Sequence, residues 1–166
     1  MLFGSQSGQP GKVGEICVSG PVVTHRYDAL PEATAGAKID ENGRLWHRMG
    51  DLGYLDAKGR LWFCGRKAER LETARGPLYT DQVEGRYNGR SGVGRCALVG
   101  PGPRGQQRPV LIVEGPENTE LRKKILEEGL VEEVQFRARL PVDTRHNAKI
   151  HRLTLKKELE GALVRR

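Results

Sequence analysis

The sequence predicts an α+β chain in two parts. Residues 1–65 read as the end of a β-rich subdomain, and residues 66–166 as a small C-terminal domain with a mixed sheet flanked by helices. Three observations predict this. Before Tyr79 there are short apolar runs and Gly-rich turns but no strong helical period. After it come two continuous apolar runs, split by a Gly/Pro loop. Around those runs lie stretches with apolar residues at helical spacing.

In the first part, Gly14-Glu15-Ile16-Cys17-Val18-Ser19 is a short strand stopped by Gly20-Pro21. Asn42-Gly43 marks a turn between two runs. Lys58-Gly59 marks another, between residues 51–56 and 60–64. The part reads as all β. Its strands do not suffice to close a barrel, and open edges are a liability, so the pattern points to further chain upstream.

In the second part, residues 80–87 form a helix that Gly89 stops. Cys96-Ala97-Leu98-Val99 and Val110-Leu111-Ile112-Val113 are apolar throughout, as buried strands are. The Gly/Pro-rich loop between them, residues 100–107, suits an antiparallel hairpin. Leu121, Ile125 and Leu126 make a helical stripe after Pro116, ended by Gly129. Val134, Phe136, Ala138 and Leu140 alternate with polar residues, a half-exposed strand. Leu155, Leu159, Ala162 and Leu163 line one face of a last helix. The order is therefore β-rich, then α-β-β-α-β-α.

Composition narrows the classes. The chain has 166 residues, 37% hydrophobic and 30% charged, enough apolar content for a core. No run is long enough to span a bilayer, and the start has neither a basic n-region nor an apolar h-region. Cys17, Cys64 and Cys96 are odd in number and far apart, which fits packed, reduced thiols in a cytoplasmic protein and no metal ligand set. The net charge of +7 allows a nucleotide, an anionic surface or nucleic acid as ligand. Aromatics are only 5%, and no nucleic-acid motif is present, so a nucleic-acid partner is not expected.

The motifs carry more than the composition. The Gly-rich start, residues 4–13, lacks the spacing of a phosphate loop, with Gln6 where the first Gly belongs and Val13 in place of the hydroxyl residue. It reads as a turn before a strand. Gly50-Asp51, alone, is also a turn. It gains weight from the downstream series, in chain order: Gly59-Arg60-Leu61-Trp62-Phe63-Cys64-Gly65-Arg66-Lys67, Gly76, Val83-Glu84, and Asn147-Ala148-Lys149-Ile150.

Together with Gly14-Glu15-Ile16 and His47-Arg48-Met49-Gly50-Asp51-Leu52-Gly53, this series resembles the AMP-forming superfamily of acyl-CoA synthetases, peptide-synthetase adenylation domains and luciferases. The resemblance covers nearly the whole chain and places it at the C-terminal end of such an enzyme. It implies a fatty carboxylic acid and ATP with Mg²⁺ as the small molecules handled. Lys149 is then the catalytic charge, Asp51 and Arg66 hold the ribose, and Ala68 stands at the hinge of the small domain. No residue is assigned to a metal. Met49 replaces the usual Thr, Ala148 the usual Gly, and Ala68 the usual Asp or Lys. The stretch Arg145-His146-Asn147-Ala148-Lys149-Ile150, with Gly65-Arg66-Lys67-Ala68-Glu69-Arg70, is most similar to the β-lactone synthetases of long-chain olefin biosynthesis.

The resemblance also implies what lies outside the chain. The loop for the β- and γ-phosphates, the adenine pocket and the Mg²⁺-binding Glu belong to an N-terminal domain, supplied in cis or in trans. This chain alone is expected to be inactive. The alternatives are part of a long-chain acyl-CoA ligase, or a truncated module without activity. His47, His146 and His151 are candidate bases by residue type only.

Overall fold

The computed structural model describes residues 10–143 and 149–164, with side chains described to residue 162 in the last helix. The chain divides into two compact units, residues 1–68 and 69–166.

The first unit is an open antiparallel sheet. Its strands are β1 (Gly14–Val18), β2 (Lys38–Glu41), β3 (Arg44–Leu55) and β4 (Leu61–Arg66). The long β3 is the spine. β1 pairs with one side of it, while β2 and β4 follow one another along the other side. Both turn signals hold. Asn42 and Gly43 join β2 to β3 with positive φ at each, as a tight hairpin requires. Gly59 turns β3 into β4 at φ 73°. The Gly-rich start ends in a turn at Pro10-Gly11, and the Gly11 N–H donates to the Leu55 carbonyl at 2.8 Å. The unit is not all β. A short helix, α1 (Pro31–Ala37), precedes β2. It buries no residue, so it has no apolar stripe to betray it; Pro at its start is the only local signal.

The second unit is a three-layer sandwich. The strands β7 (Cys96–Val99), β8 (Val110–Glu114) and β9 (Glu133–Arg137) lie in that order, the first pair antiparallel and the second parallel. One face packs on α2 (Thr80–Tyr87) and α3 (Thr119–Glu127) through Leu98, Leu111, Val83, Tyr87 and Ile125. The other packs on α4 (Arg152–Val164) through Val99, Ile112, Leu155 and Leu159. Sandwiching explains why β7 and β8 are apolar at every position. Asn118 caps α3, its Oδ1 accepting the Leu121 N–H at 2.9 Å.

Three expectations for this unit need correcting. A small hairpin, β5 (Leu71–Thr73) and β6 (Gly76–Leu78), precedes α2. β9 ends at Arg137, short of Ala138 and Leu140. Ala162 is exposed instead of buried, and the Leu163 side chain lies outside the described residues.

Candidate functional site

Asp51 and Arg66 are brought together. They are register partners across β3 and β4. The pairing of β1 with β3 shifts here: Glu15 faces Leu52 and Cys17 faces Arg48, so Met49, Gly50 and Asp51 bulge against Ile16. Gly50 takes φ 67° within the bulge, with open space where a Cβ would be. A bulge of this kind re-aims side chains and ends regular pairing. Asp51 Oδ1 lies 2.9 Å from Arg66 Nη1. It lies off the N–H direction, so this contact is an ion pair without a directed hydrogen bond, and the buried oxygen keeps its acceptor capacity. The Arg66 side chain is 56% exposed and also donates to the Met49 carbonyl at 3.4 Å. A carboxylate with a free lone pair beside an exposed guanidinium suits a ligand with vicinal hydroxyls.

The bulge is braced from behind by a motif residue to which sequence reasoning gave no role. Glu15 Oε2 accepts from Arg48 Nη2 at 2.7 Å and Lys67 Nζ at 2.7 Å. Burial pushes the Glu15 carboxyl up, but hydrogen bonds from Arg48 and Lys67 outweigh it and hold the group below its ordinary value. One acid thus ties the Gly-Glu-Ile motif to the Arg before Met49-Gly50-Asp51 and to the Lys after Arg66. An acidic residue inside an otherwise apolar strand was the available signal.

Ala68 is exposed in the 3₁₀ turn Lys67–Glu69 and is the last residue of the first unit. Gly76 is the first residue of β6 at φ 111°, and its carbonyl accepts from the Thr73 hydroxyl at 2.7 Å.

Lys149 belongs to the second unit, and its side chain is exposed. Its backbone is held. Its carbonyl accepts the Asp143 N–H at 2.9 Å, the His151 N–H donates to Pro141 at 2.8 Å, and Val142 faces Ile150 in an antiparallel bridge. Ile150 is buried with Leu140 and Leu155. An anchored backbone under a solvent-reaching amine can present a point charge. The Asn147-Ala148 part of the motif, and His146, lie outside the described residues.

His47 Nδ1 lies 3.2 Å from the Ala37 carbonyl, and its ring meets Tyr27 edge-on. His151 is exposed, and its carbonyl accepts the first-turn amides of α4 from Thr154 and Leu155. Neither contact poises a ring for proton transfer.

Deeper in the second unit lies an ion pair that the motifs did not announce. Glu84, 6% exposed, takes Arg152 Nε at 3.0 Å and Nη2 at 2.7 Å, one on each oxygen. Its Oε1 also accepts the Leu98 N–H at 2.8 Å. Arg152 Nη1 reaches Glu69 at 2.9 Å. Burial pushes the Glu84 carboxyl up beyond what Arg152 and the Leu98 amide recover. Burial works against the Arg152 charge too, but Glu84 and Glu69 outweigh it. Nearby Cys96 is pushed up to about 12, by burial first and then by the Glu84 charge. Cys17, Cys64 and Cys96 are all buried, and none is in a disulfide. Among the described residues, no group of three His, Cys, Asp or Glu side chains stands where it could hold a metal ion. Nor is any described helix long and apolar enough to cross a membrane.

This fold and this series of motifs are those of the C-terminal part of AMP-forming ligases. The chain superposes on an O-succinylbenzoate coenzyme A synthetase from Bacillus subtilis, solved with ATP and magnesium ion, with a TM-score of 0.72 and 28% identity over 91% of the chain and 32% of that protein. Two curated relatives are more alike in sequence. An olefin beta-lactone synthetase of Stenotrophomonas maltophilia is 50% identical over 158 residues, and one of Xanthomonas campestris pv. campestris is 47% identical over 166. Each match takes in 86% of this chain but 29% of the relative, so the chain spans less than a third of their length. No protein-family model matches it.

Proposed function

We propose that the chain is the C-terminal part of an ATP-dependent ligase that activates a β-hydroxy fatty acid as its acyl adenylate and closes it to a β-lactone. The observation that carries this is the 50% and 47% identity to two olefin beta-lactone synthetases. In the first step a carboxylate oxygen bonds the α-phosphorus of ATP and pyrophosphate leaves. In the second, the β-hydroxyl oxygen attacks the acyl carbon, gives up its proton to solvent, and AMP leaves.

Both reactants of the first step are anions, so the site must neutralise charge that gathers on the phosphoryl oxygens. Lys149 supplies that charge from its anchored backbone. Asp51 accepts the ribose hydroxyls, and Arg66 supports the same sugar. Ala68 is the hinge, which the unit boundary directly after it supports. Three buried thiols suit a reducing, cytoplasmic setting. The partner is an N-terminal adenylating domain carrying the phosphate loop and Mg²⁺ site. The first unit offers it a surface: Leu61, Trp62 and Phe63 are consecutive on β4, and each is about half exposed. Consecutive strand residues point to opposite faces, so β4 needs cover on both.

The test is product analysis. The chain alone should release no AMP from ATP and a β-hydroxy fatty acid. Joined to its N-terminal domain, it should give lactone and AMP in equal amounts without coenzyme A. A thioester formed only with coenzyme A would move the reading to an acyl-CoA ligase. Lys149→Ala in the joined enzyme should lower adenylate formation by about 10²–10³, the usual cost of one such donor. An undiminished rate would remove Lys149 from the chemistry.

A further inference from the structure

Arg152 lies three residues after Lys149 and opens α4. Its one guanidinium joins segments far apart in the chain. Two nitrogens fork onto Glu84 of α2, and the third reaches Glu69, the first residue of the second unit. Glu84 in turn holds the Leu98 amide of β7. A lysine could not make this fork, because a planar guanidinium alone presents parallel donors to a carboxylate.

Stability is a weak reason for such an arrangement. A buried ion pair loses in desolvation much of what it gains in attraction, and apolar side chains of like volume often do as well. What the pair does specify is geometry. The leg that carries Lys149 is otherwise held by the Val142–Ile150 bridge, its two backbone hydrogen bonds, and the burial of Ile150. Two backbone hydrogen bonds, each of modest net strength because water competes for the same groups, do not lock a leg against local opening.

We propose that Arg152 is a positioning residue for Lys149: through Glu84 and Glu69 it fixes the downstream leg of the Lys149 loop to the body of the second unit. This rests on the reading of Lys149 as the charge that stabilises adenylate formation. Since Glu69 directly follows Ala68, the same guanidinium also sets that leg against the residue beside the hinge. Arg152 touches no reacting atom. It acts by keeping the amine where the transition state needs it, and a misplacement of about 1 Å can cost about 10² in rate.

Two measurements test this. In the 166-residue chain, Arg152→Met and Arg152→Lys should speed hydrogen exchange of the Asp143 and His151 amides at least tenfold more than that of the β7 and β8 amides. Glu128→Gln, which breaks a separate fork with Arg86 and Arg90, should leave those two amides unchanged. If Arg152→Met does not fold, Arg152→Lys, which keeps the charge and loses the fork, gives the answer. A uniform rise over all amides would mean a merely structural role and would overturn the proposal. In the ligase with its N-terminal domain, Arg152→Lys should lower kcat for adenylate formation at least tenfold with KM for ATP and acid within twofold. A rise in KM at unchanged kcat would also overturn it. Selective loosening of the two amides with an unchanged kcat would leave the Arg152 tether standing and overturn the role given to Lys149.

Discussion

Asp56 shows how much one side chain can organise. Its Oδ1 accepts the Lys58 and Arg60 amides at 2.9 Å each, and its Oδ2 takes Arg60 Nε at 2.7 Å and Trp62 Nε1 at 3.0 Å. The bond from Trp62, then those from Arg60 and Lys58, hold its carboxyl down at about 2. The folded state therefore binds this proton less tightly than the unfolded chain, and the stabilisation is complete above the unfolded value of 3.8 and lost as pH falls towards about 2. Asp56→Asn should lower the denaturant midpoint of the first unit at neutral pH, and the gap from wild type should narrow as pH falls below about 4. A gap that stays constant with pH would mean the charge does not matter. The sequence showed the turn here through Lys58-Gly59 but not the fourfold acceptor, because Asp56 reaches Trp62 only when the strands pair. The same holds for the candidate site. Lys149, Asp51 and Arg66 were legible from ordered motifs, whereas Glu15 and the Glu84–Arg152 fork were not, since each joins residues more than thirty positions apart.

At the scale of elements, the β3–β4 pair leaves no room at Gly53. An added Cβ there would sit 2.7 Å from the Trp62 carbonyl and 3.1 Å from Ile16 Cδ1. The carbonyl is fixed by the sheet and cannot swing away. Gly53→Ala should destabilise the first unit by about 1–3 kcal/mol, the usual cost of overpacking, read as a shift of the denaturant midpoint. No shift would show that the strands can spread. Elements with a strong period or a clear stop were legible: α2, α3, β7 and β8 lie where their apolar pattern puts them. α1 was not, because it buries nothing, and the β5–β6 hairpin was not, because its turn at Ala74-Arg75 carries no Asn-Gly or Asp-Gly pair. β9 was read too long because the alternation continues past Arg137, while pairing to β8 ends with Glu114. Leu140 is buried all the same, against α4 instead of within the sheet.

The whole molecule is uneven. Among the described residues, the first unit buries Cys17, Trp46, Leu52 and Cys64, while the rest of the apolar core belongs to the second. Of the exposed large apolar side chains among the described residues, all but Leu153 lie in the first unit. Apolar burial drives stability, so the first unit should unfold first. Trp46 and Trp62, the chain's two tryptophans, are both in that unit, whereas α2, α3 and α4 are in the other. Tryptophan fluorescence should therefore change at lower denaturant than helical circular dichroism; coincident curves would show one cooperative unit. The α+β class was legible at this scale from the change of period along the chain. The buried cysteines give the imbalance a chemical face. While the first unit is closed, Cys17 and Cys64 are shielded from oxidants, and Cys96, held protonated in the second unit, is a poor nucleophile. Each opening of the first unit uncovers two thiols beside an already adhesive apolar strand. Storage in air should then convert a reversible fluctuation into crosslinked aggregate, and reducing agent, or a domain seated on β4, would extend the chain's shelf life.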